Sequence, residues 1–103
     1  MYGIEDIQQA AREDRIQWSG HILTRMQQRG IMVIDILNCI SNGEIIEYYE
    51  DDYPHPSCLI LGSSKGNTLL HLVCALENKY LWMITAYYPA PSEWEDNFKV
   101  RRR

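Results

Sequence analysis

The chain has 103 residues, of which 46% are hydrophobic and 23% charged, and its formal net charge at neutral pH is −4. That length favours one domain over residues 1–103, and no apolar run approaches the roughly 20 residues of a membrane span. The first residues lack signal-peptide character, so a cytoplasmic protein is expected. The negative charge argues against bulk, non-specific nucleic-acid binding, which usually accompanies an excess of positive charge.

Three helices are predicted in the first part of the chain. Residues 4–11 carry apolar residues on one face and acidic residues in the first turn. Ser19 suits an N-cap and Gly30 a left-handed closing residue, which predicts a second helix over residues 20–29. Apolar residues at helical spacing predict a third, mostly buried helix over residues 32–41. Between the first two helices, a connector is expected.

The rest of the chain reads as strands. Prolines and glycines separate the first three strand-like stretches, and the tight turn Glu77-Asn-Lys79 joins the last two. The tail after Pro91 is expected to add one last helical turn over residues 92–97. Helices followed by a strand meander predict an α+β fold, with two to three N-terminal helices packed on an antiparallel sheet of about four strands. The predicted strands are residues 44–50, 58–61, 68–76 and 80–88.

The second predicted helix carries an unusual polar face. His21, Arg25 and Arg29 follow one another at intervals of four, so they lie on neighbouring turns of one face. No acidic residue occurs between Arg15 and Val33, whereas a solvated helix face usually mixes both signs. The face could bind an anion, although Arg29 in a last turn also suits the helix dipole.

Charge is also segregated along the rest of the chain. Residues 44–52 hold five acidic residues and no basic one, whereas the C-terminus holds Lys99, Arg101, Arg102 and Arg103. A small protein of this kind could focus an anionic substrate locally without being basic overall. Ordinary solvated faces would give the same pattern, and charge alone does not decide between the two.

No metal or cofactor is expected. The three cysteines, Cys39, Cys58 and Cys74, are far apart in apolar stretches, and no spaced set of ligands indicates a zinc site or a disulfide framework. The chain also lacks a glycine-rich phosphate loop and a Gly-x-Ser-x-Gly elbow.

Two strand residues could complete a site with the helix face. RNA cleavage without a metal needs a base for the 2′-hydroxyl, an acid for the leaving 5′-oxygen and cations for the phosphate. His21 and His71 could serve as acid and base, Arg25 and Arg29 could hold the phosphate, and Tyr87 could donate a proton or contact the phosphate.

Each of these residues also has a purely structural interpretation. A lone histidine in a strand is more often a satisfied core residue, which applies to His71, and tyrosines such as Tyr87 are common in sheets. His55 lies between two prolines in a loop and is expected to be merely exposed.

The helix stretch resembles the opening motif of a small prokaryotic family of domains of unknown function. The motif, Ser-x-His-x-x-x-Arg-Met-x-x-Arg-Gly-Ile, corresponds here to Ser19-Gly-His-Ile-Leu-Thr-Arg-Met-Gln-Gln-Arg-Gly-Ile31. The resemblance continues through Asn42-Gly-Glu-Ile-Ile-Glu-Tyr48, Pro56-Ser-Cys-Leu-Ile-Leu-Gly62, Leu70-His-Leu-Val73 and Ile84-Thr-Ala-Tyr87.

That family is similar to the RelE-type and barnase-type ribonucleases, the BECR fold group. The resemblance implies a metal-independent endoribonuclease toxin, paired with an antitoxin-like protein that carries a zinc-finger segment. His21, Arg25 and Arg29 match the polar motif of the family, and His71 and Tyr87 match its strand positions. These five are the candidate catalytic residues. Lys99, Arg101 and Arg102 would assist in substrate binding. The alternative is a non-catalytic RNA- or protein-binding module on the same scaffold, and an oligomer is possible in either case.

Overall fold

A computed structural model of residues 1–103 confirms the predicted α+β architecture of helices packed on a sheet. No helix in it has the length and apolar character that crossing a membrane requires. Three helices and five strands follow one another along the chain: α1 (Ile4–Arg12), β1 (Ile16–Trp18), α2 (Gly20–Arg29), α3 (Val33–Asn42), β2 (Glu44–Tyr49), β3 (Ser57–Ser63), β4 (Leu69–Glu77) and β5 (Tyr80–Tyr87).

Helix α2 has the predicted bounds because both of its ends are fixed by local chemistry. The Ser19 hydroxyl accepts a hydrogen bond from the Ile22 amide at 3.2 Å, which satisfies one of the free N–H groups of the first turn. Gly30 closes the helix at φ +68°, in the left-handed region that favours glycine. Ile22 and Met26 face the core.

Helices α1 and α3 begin with an acidic side chain that folds back onto the main chain. The Asp6 carboxylate accepts a hydrogen bond from the Gly3 amide at 2.9 Å, and the Asp35 carboxylate accepts one from the Met32 amide at 2.8 Å. Met32 has no side-chain acceptor of its own, so Asp35 supplies the cap from inside the helix. Asp35 also accepts a hydrogen bond from the Lys65 amide at 3.0 Å, which joins α3 to the turn between β3 and β4.

The sheet has the order β1-β5-β4-β3-β2 and is mixed rather than purely antiparallel. Strands β2 to β5 form the predicted antiparallel meander. The connector expected at residues 15–18 was wrong in part, because β1 pairs in parallel with β5, with Ile16 opposite Leu81 and Trp18 opposite Met83. Three residues carry too little pattern to indicate a strand, and only the tertiary partner creates it.

The three helices cover one face of the sheet and enclose the main core. Buried side chains from β3, β4 and β5 meet Ile7, Ile22, Met26, Ile36 and Ile40 from the helices. Cys58 and Cys74 lie opposite each other in this core with their sulfur atoms 4.0 Å apart, and all three cysteines are free and buried.

A β-bulge in β5 changes which of its residues face the helices. Val73 pairs with Thr85 and Cys74 with Met83, so Ile84 is an extra residue without a partner. Strict alternation along residues 80–88 would predict Met83, Thr85 and Tyr87 on one face of the sheet, and the bulge makes that prediction wrong. Met83 is buried toward the helices, whereas Tyr87 shares the opposite face with His71.

The C-terminal segment, residues 89–103, packs on that opposite face. Trp94 is only 3% exposed, and it forms an isolated antiparallel bridge with Arg101. The helical turn expected over residues 92–97 was wrong, because the segment folds through turns into a bridged loop held by ion pairs to the sheet. The Lys99 ammonium contacts Glu44 at 2.7 Å, and the Arg101 guanidinium contacts Glu47 at 3.1 Å.

Candidate functional site

The polar face of α2 runs along β5, beyond the short segment that pairs with β1. His21, Arg25 and Arg29 are all exposed, as the helical spacing predicts. Arg29 Nη1 donates to the Ala86 carbonyl oxygen at 2.7 Å and lies 3.4 Å from the Thr85 hydroxyl. No other guanidinium nitrogen of Arg29 has a hydrogen-bond partner within the chain. The side chains of Arg25 and His21 form neither a hydrogen bond nor an ion pair. The row formed by His21, Arg25 and Arg29 along α2, called the row below, is therefore free to bind an anion.

A cleft of about 470 Å³ opens beside the last turn of α2, and we call it the Arg29 cleft. Its lining brings a residue of α2 together with the end of β5 and the start of the C-terminal segment. The lining residues are Arg29, Tyr87, Tyr88, Ala90 and Glu93. The predicted residues Arg29 and Tyr87 therefore share one opening.

Behind Tyr87 lies His71, whose side chain is fully buried. Its Nδ1 atom is 3.3 Å from the Tyr87 hydroxyl, and its Nε2 atom is 2.9 Å from the Phe98 carbonyl oxygen. A carbonyl can only accept, so Nε2 carries the ring proton and Nδ1 of the neutral imidazole accepts from Tyr87. In this tautomer the Tyr87 hydroxyl proton points inward, and its oxygen lone pairs are left to face the cleft.

Burial governs the protonation of both groups. Burial lowers the pKa of His71, and the hydrogen bond to the Phe98 carbonyl only partly offsets that effect. Burial likewise raises the pKa of Tyr87. Near neutral pH the pair is therefore an uncharged imidazole that accepts from an uncharged phenol.

Aromatic and charged residues enclose His71 on the side away from Tyr87. The Trp94 ring meets the imidazole edge to face with centroids 4.5 Å apart, and the Arg101 guanidinium carbon lies 4.7 Å from the centre of the Trp94 ring. Arg101 holds Glu47 through two hydrogen bonds of 3.1 Å. Burial opposes ionisation of Glu47, but the hydrogen bonds from Arg101 and Tyr49 keep the pKa of Glu47 below its usual range.

A second cleft, of about 440 Å³, lies at the other end of the helix row, and we call it the His21 cleft. His21 lines it together with His55, Trp82, Asp52 and Tyr53. The His55 and Trp82 rings have centroids 6.3 Å apart. His55 is thus more than an isolated loop residue, because the loop folds back over β5 and places its ring beside an exposed indole.

His21 and His71 do not meet in one opening. His21 lines the second cleft, whereas His71 is buried behind Tyr87 and lines neither. The structure therefore groups Arg29, Tyr87 and His71 at one end of the row and His21 at the other. Whether any of these residues is catalytic stays a prediction.

Three of the four basic residues of the C-terminus are already paired within the chain. Lys99 contacts Glu44, Arg101 contacts Glu47, and Arg102 contacts both Glu95 and Asp96. Substrate binding by Lys99, Arg101 and Arg102 stays a prediction, and it would require these exposed ion pairs to open. The exposed pairs of Lys99 and Arg102 stabilise a fold by about 0–1 kcal/mol each, so opening them costs little. Arg101 is held more firmly, because it makes two hydrogen bonds to Glu47 and packs on Trp94.

Glu93 is the residue of the Arg29 cleft that the sequence interpretation missed. It belongs to a mixed-charge tail with no regular spacing to Arg29 or Tyr87, so only the course of the C-terminal segment brings it there. No group of three or more His, Cys, Asp or Glu side chains lies close enough together to hold a metal ion.

Comparison with protein families gives one match. A family profile described as Domain of unknown function (DUF4258) matches residues 18–88, from the end of β1 to the residue after β5. The matched range contains α2 and the residues of both clefts except those of the C-terminal segment. No curated protein and no solved structure matches the chain. The resemblance to RelE-type and barnase-type ribonucleases stays a prediction.

Proposed function

The chain belongs to the DUF4258 family, and from that premise we propose that it is a metal-independent endoribonuclease of toxin type. The observation that carries the proposal is the Arg29 cleft, where a guanidinium with free N–H groups faces a tyrosine hydroxyl backed by a buried histidine. A phosphate-binding cation and a proton acceptor at one opening are the minimum that cleavage of RNA requires.

The proton path follows from the tautomer of His71. The RNA 2′-hydroxyl gives its proton to the Tyr87 oxygen, while Tyr87 passes its own proton to Nδ1 of His71. The 2′-oxygen then attacks phosphorus and the bond to the 5′-oxygen breaks. The products are a 2′,3′-cyclic phosphate and a 5′-hydroxyl that takes its proton from solvent. His71 afterwards releases its proton outward through Tyr87.

Arg29 and Arg25 hold the RNA backbone in this proposal. Arg29 is anchored by the Ala86 carbonyl, so its remaining N–H groups are oriented before the phosphate arrives. Arg25, one turn earlier, contacts the adjacent phosphate. His21 precedes Arg29 by eight residues, about 12 Å along the helix axis, which assigns it to a flanking nucleotide rather than to the scissile bond.

A protein partner is also part of the proposal. Glu44 and Glu47 are paired with the C-terminal segment, so the acidic side chains left for a basic antitoxin are Glu50, Asp51 and Asp52. They line a shallow cleft together with Tyr48 and Tyr49. An antitoxin docked there would lie beside the His21 cleft, because Asp52 borders both openings.

The direct test is Tyr87→Phe, assayed for cleavage of single-stranded RNA in the presence of EDTA. Loss of the hydroxyl interrupts the proton path but keeps the ring, so the rate is expected to fall by about 100-fold or more. Tyr80→Phe is the matched control, because Tyr80 lies in the same strand, is 44% exposed and makes no side-chain hydrogen bond. Cleavage by Tyr87→Phe at the wild-type rate would refute the assigned role.

The burial of His71 favours a second candidate function, a non-catalytic RNA-binding module. Trp94 and the Phe98 carbonyl seal the imidazole completely, which is also what a purely structural histidine looks like. Such a module would bind RNA through the same row of cations. Stable binding without cleavage between pH 5 and pH 9, unchanged by Tyr87→Phe, would favour the binding module over the nuclease.

A further inference from the structure

The His21 cleft has a lining that differs in kind from the Arg29 cleft. Trp82 is 43% exposed there, and Ile84, the bulge residue beyond the end of β1, is 39% exposed. The exposed ring of Tyr53 and the imidazole of His55 line the same cleft. The cleft therefore offers flat aromatic surfaces and little positive charge.

We infer that the His21 cleft is a nucleobase subsite, where one unpaired base of the RNA stacks on the Trp82 indole. The inference rests on the proposed function, since it names where the strand continues beyond the Arg29 cleft. Base–aromatic stacking accepts any base, because every base has a π face. The His55 ring, tilted by 35° to the indole, bounds the same space.

The charge of the residues around the His21 cleft indicates which part of a nucleotide would bind in it. The Asp52 carboxylate lines the cleft, and the Glu77 carboxylate lies 3.7 Å from the His55 ring. Two carboxylates would repel a phosphate, whereas Asp52 Oδ1 accepts no hydrogen bond within the chain and can accept one from a base N–H group. The occupant is therefore the base, and the phosphates stay on the cationic row.

The positions of the row and the His21 cleft are consistent with one RNA strand that contacts both. His21 belongs both to the row and to the cleft, so a backbone held by Arg29 and Arg25 leads directly to the Trp82 indole. Cations along the backbone with aromatic platforms beside them are the usual means of binding single-stranded nucleic acid. A duplex would not fit this description, because its bases are already stacked.

The test measures binding of an eight-nucleotide strand with 2′-O-methyl groups, which cannot be cleaved. Trp82→Ala is expected to weaken binding by about five- to 100-fold, the range of one lost stacking contact. Trp82→Phe keeps an aromatic face and is expected to retain most of the affinity. Tyr80→Ala is the matched control, because Tyr80 is equally exposed in the same strand but lies outside the cleft.

A second probe separates the base from the backbone. A strand of the same length that carries abasic sites throughout is expected to bind the wild type and Trp82→Ala equally. The inference is overturned if Trp82→Ala binds the normal strand as the wild type does, or weakens both strands alike. Those results would leave the proposed function intact, provided Arg29→Gln still weakens binding. If the wild type binds no RNA at all, both proposals fall.

Discussion

The imidazole of His71 is held at both nitrogens, by the Tyr87 hydroxyl and by the main chain at Phe98. A buried imidazole that must stay neutral couples folding to pH. The groups that face it are Tyr87, Glu47 and Arg101, and Glu47 stays ionised through the neutral range because its pKa is lowered. Among the four residues of this cluster, His71 is therefore the one whose protonation couples folding to pH near neutrality.

The sign of the pH effect follows from the lowered pKa. The folded-state pKa of His71 lies below its ordinary value of 6.5, so the unfolded chain takes up a proton more readily than the folded one. The contribution of His71 to stability is complete above about pH 6.5 and is lost as the pH falls through the folded-state pKa.

We therefore predict that the free energy of unfolding decreases between pH 7 and pH 5, as measured by urea denaturation. The decrease should become shallower in His71→Gln, which cannot take up the proton, whatever the starting stability of that variant. His55→Gln serves as the control for loss of a histidine outside the cluster, because His55 is partly exposed, and His71→Gln should change the slope more than His55→Gln does. An unchanged slope in His71→Gln would contradict this account.

For single residues, the sequence predicted which side chains share a helix face, but it did not predict the surroundings of a buried side chain. The spacing of His21, Arg25 and Arg29 predicts a shared face of α2, and all three are exposed as expected. The environment of His71 could not be predicted, because its partners come from Tyr87 and, 27 residues away, from Phe98. Contacts of that range leave no periodic signal in the chain.

Secondary-structure elements with local stop signals were predictable, and those defined by a distant partner were not. Helix α2 matches its predicted bounds because Ser19 and Gly30 act on their immediate neighbours. Strand β1 exists only because Ile16 finds Leu81, and the bulge at Ile84 depends on its register with β4. The bulge matters for the site, because it places Tyr87 beside His71.

The C-terminal segment acts as a structural cover, and its main anchor is Trp94. We predict that Trp94→Ala lowers the free energy of unfolding by about 3–5 kcal/mol, since it removes a large buried side chain. Trp82→Ala, which truncates an exposed indole, should change it by less than about 1 kcal/mol. If urea denaturation gave a Trp94→Ala effect as small as that expected for Trp82→Ala, the segment would contribute little to stability.

For the molecule as a whole, acidic side chains of β2 form ion pairs with basic side chains of the C-terminal segment. The acidic strand β2 and the basic tail neutralise each other through Glu44, Glu47, Lys99 and Arg101, so the net charge of −4 does not describe the α2 surface. A chain that is acidic overall can in this way present a local row of cations to an anionic strand.

The number of cations that contact RNA can be read from the salt dependence of binding. Two phosphate contacts, by Arg25 and Arg29, predict a slope of log K against log salt of about −1.4 for a single strand. Arg25→Gln should reduce the slope to about −0.7, and Arg12→Gln on α1, away from the row, should leave it unchanged. A slope several times steeper would mean that the tail opens and joins the contact.

The range of the family match and the set of residues that enclose His71 have different boundaries. The DUF4258 match ends at residue 88, yet Trp94 and the Phe98 carbonyl, which complete the enclosure of His71, lie beyond it. A fragment trimmed to residues 18–88 would remove Trp94 and Phe98 from His71, and it would also lose α1. For expression or design, a fragment should therefore extend beyond the family match, so that it includes α1 and the C-terminal segment through Arg101.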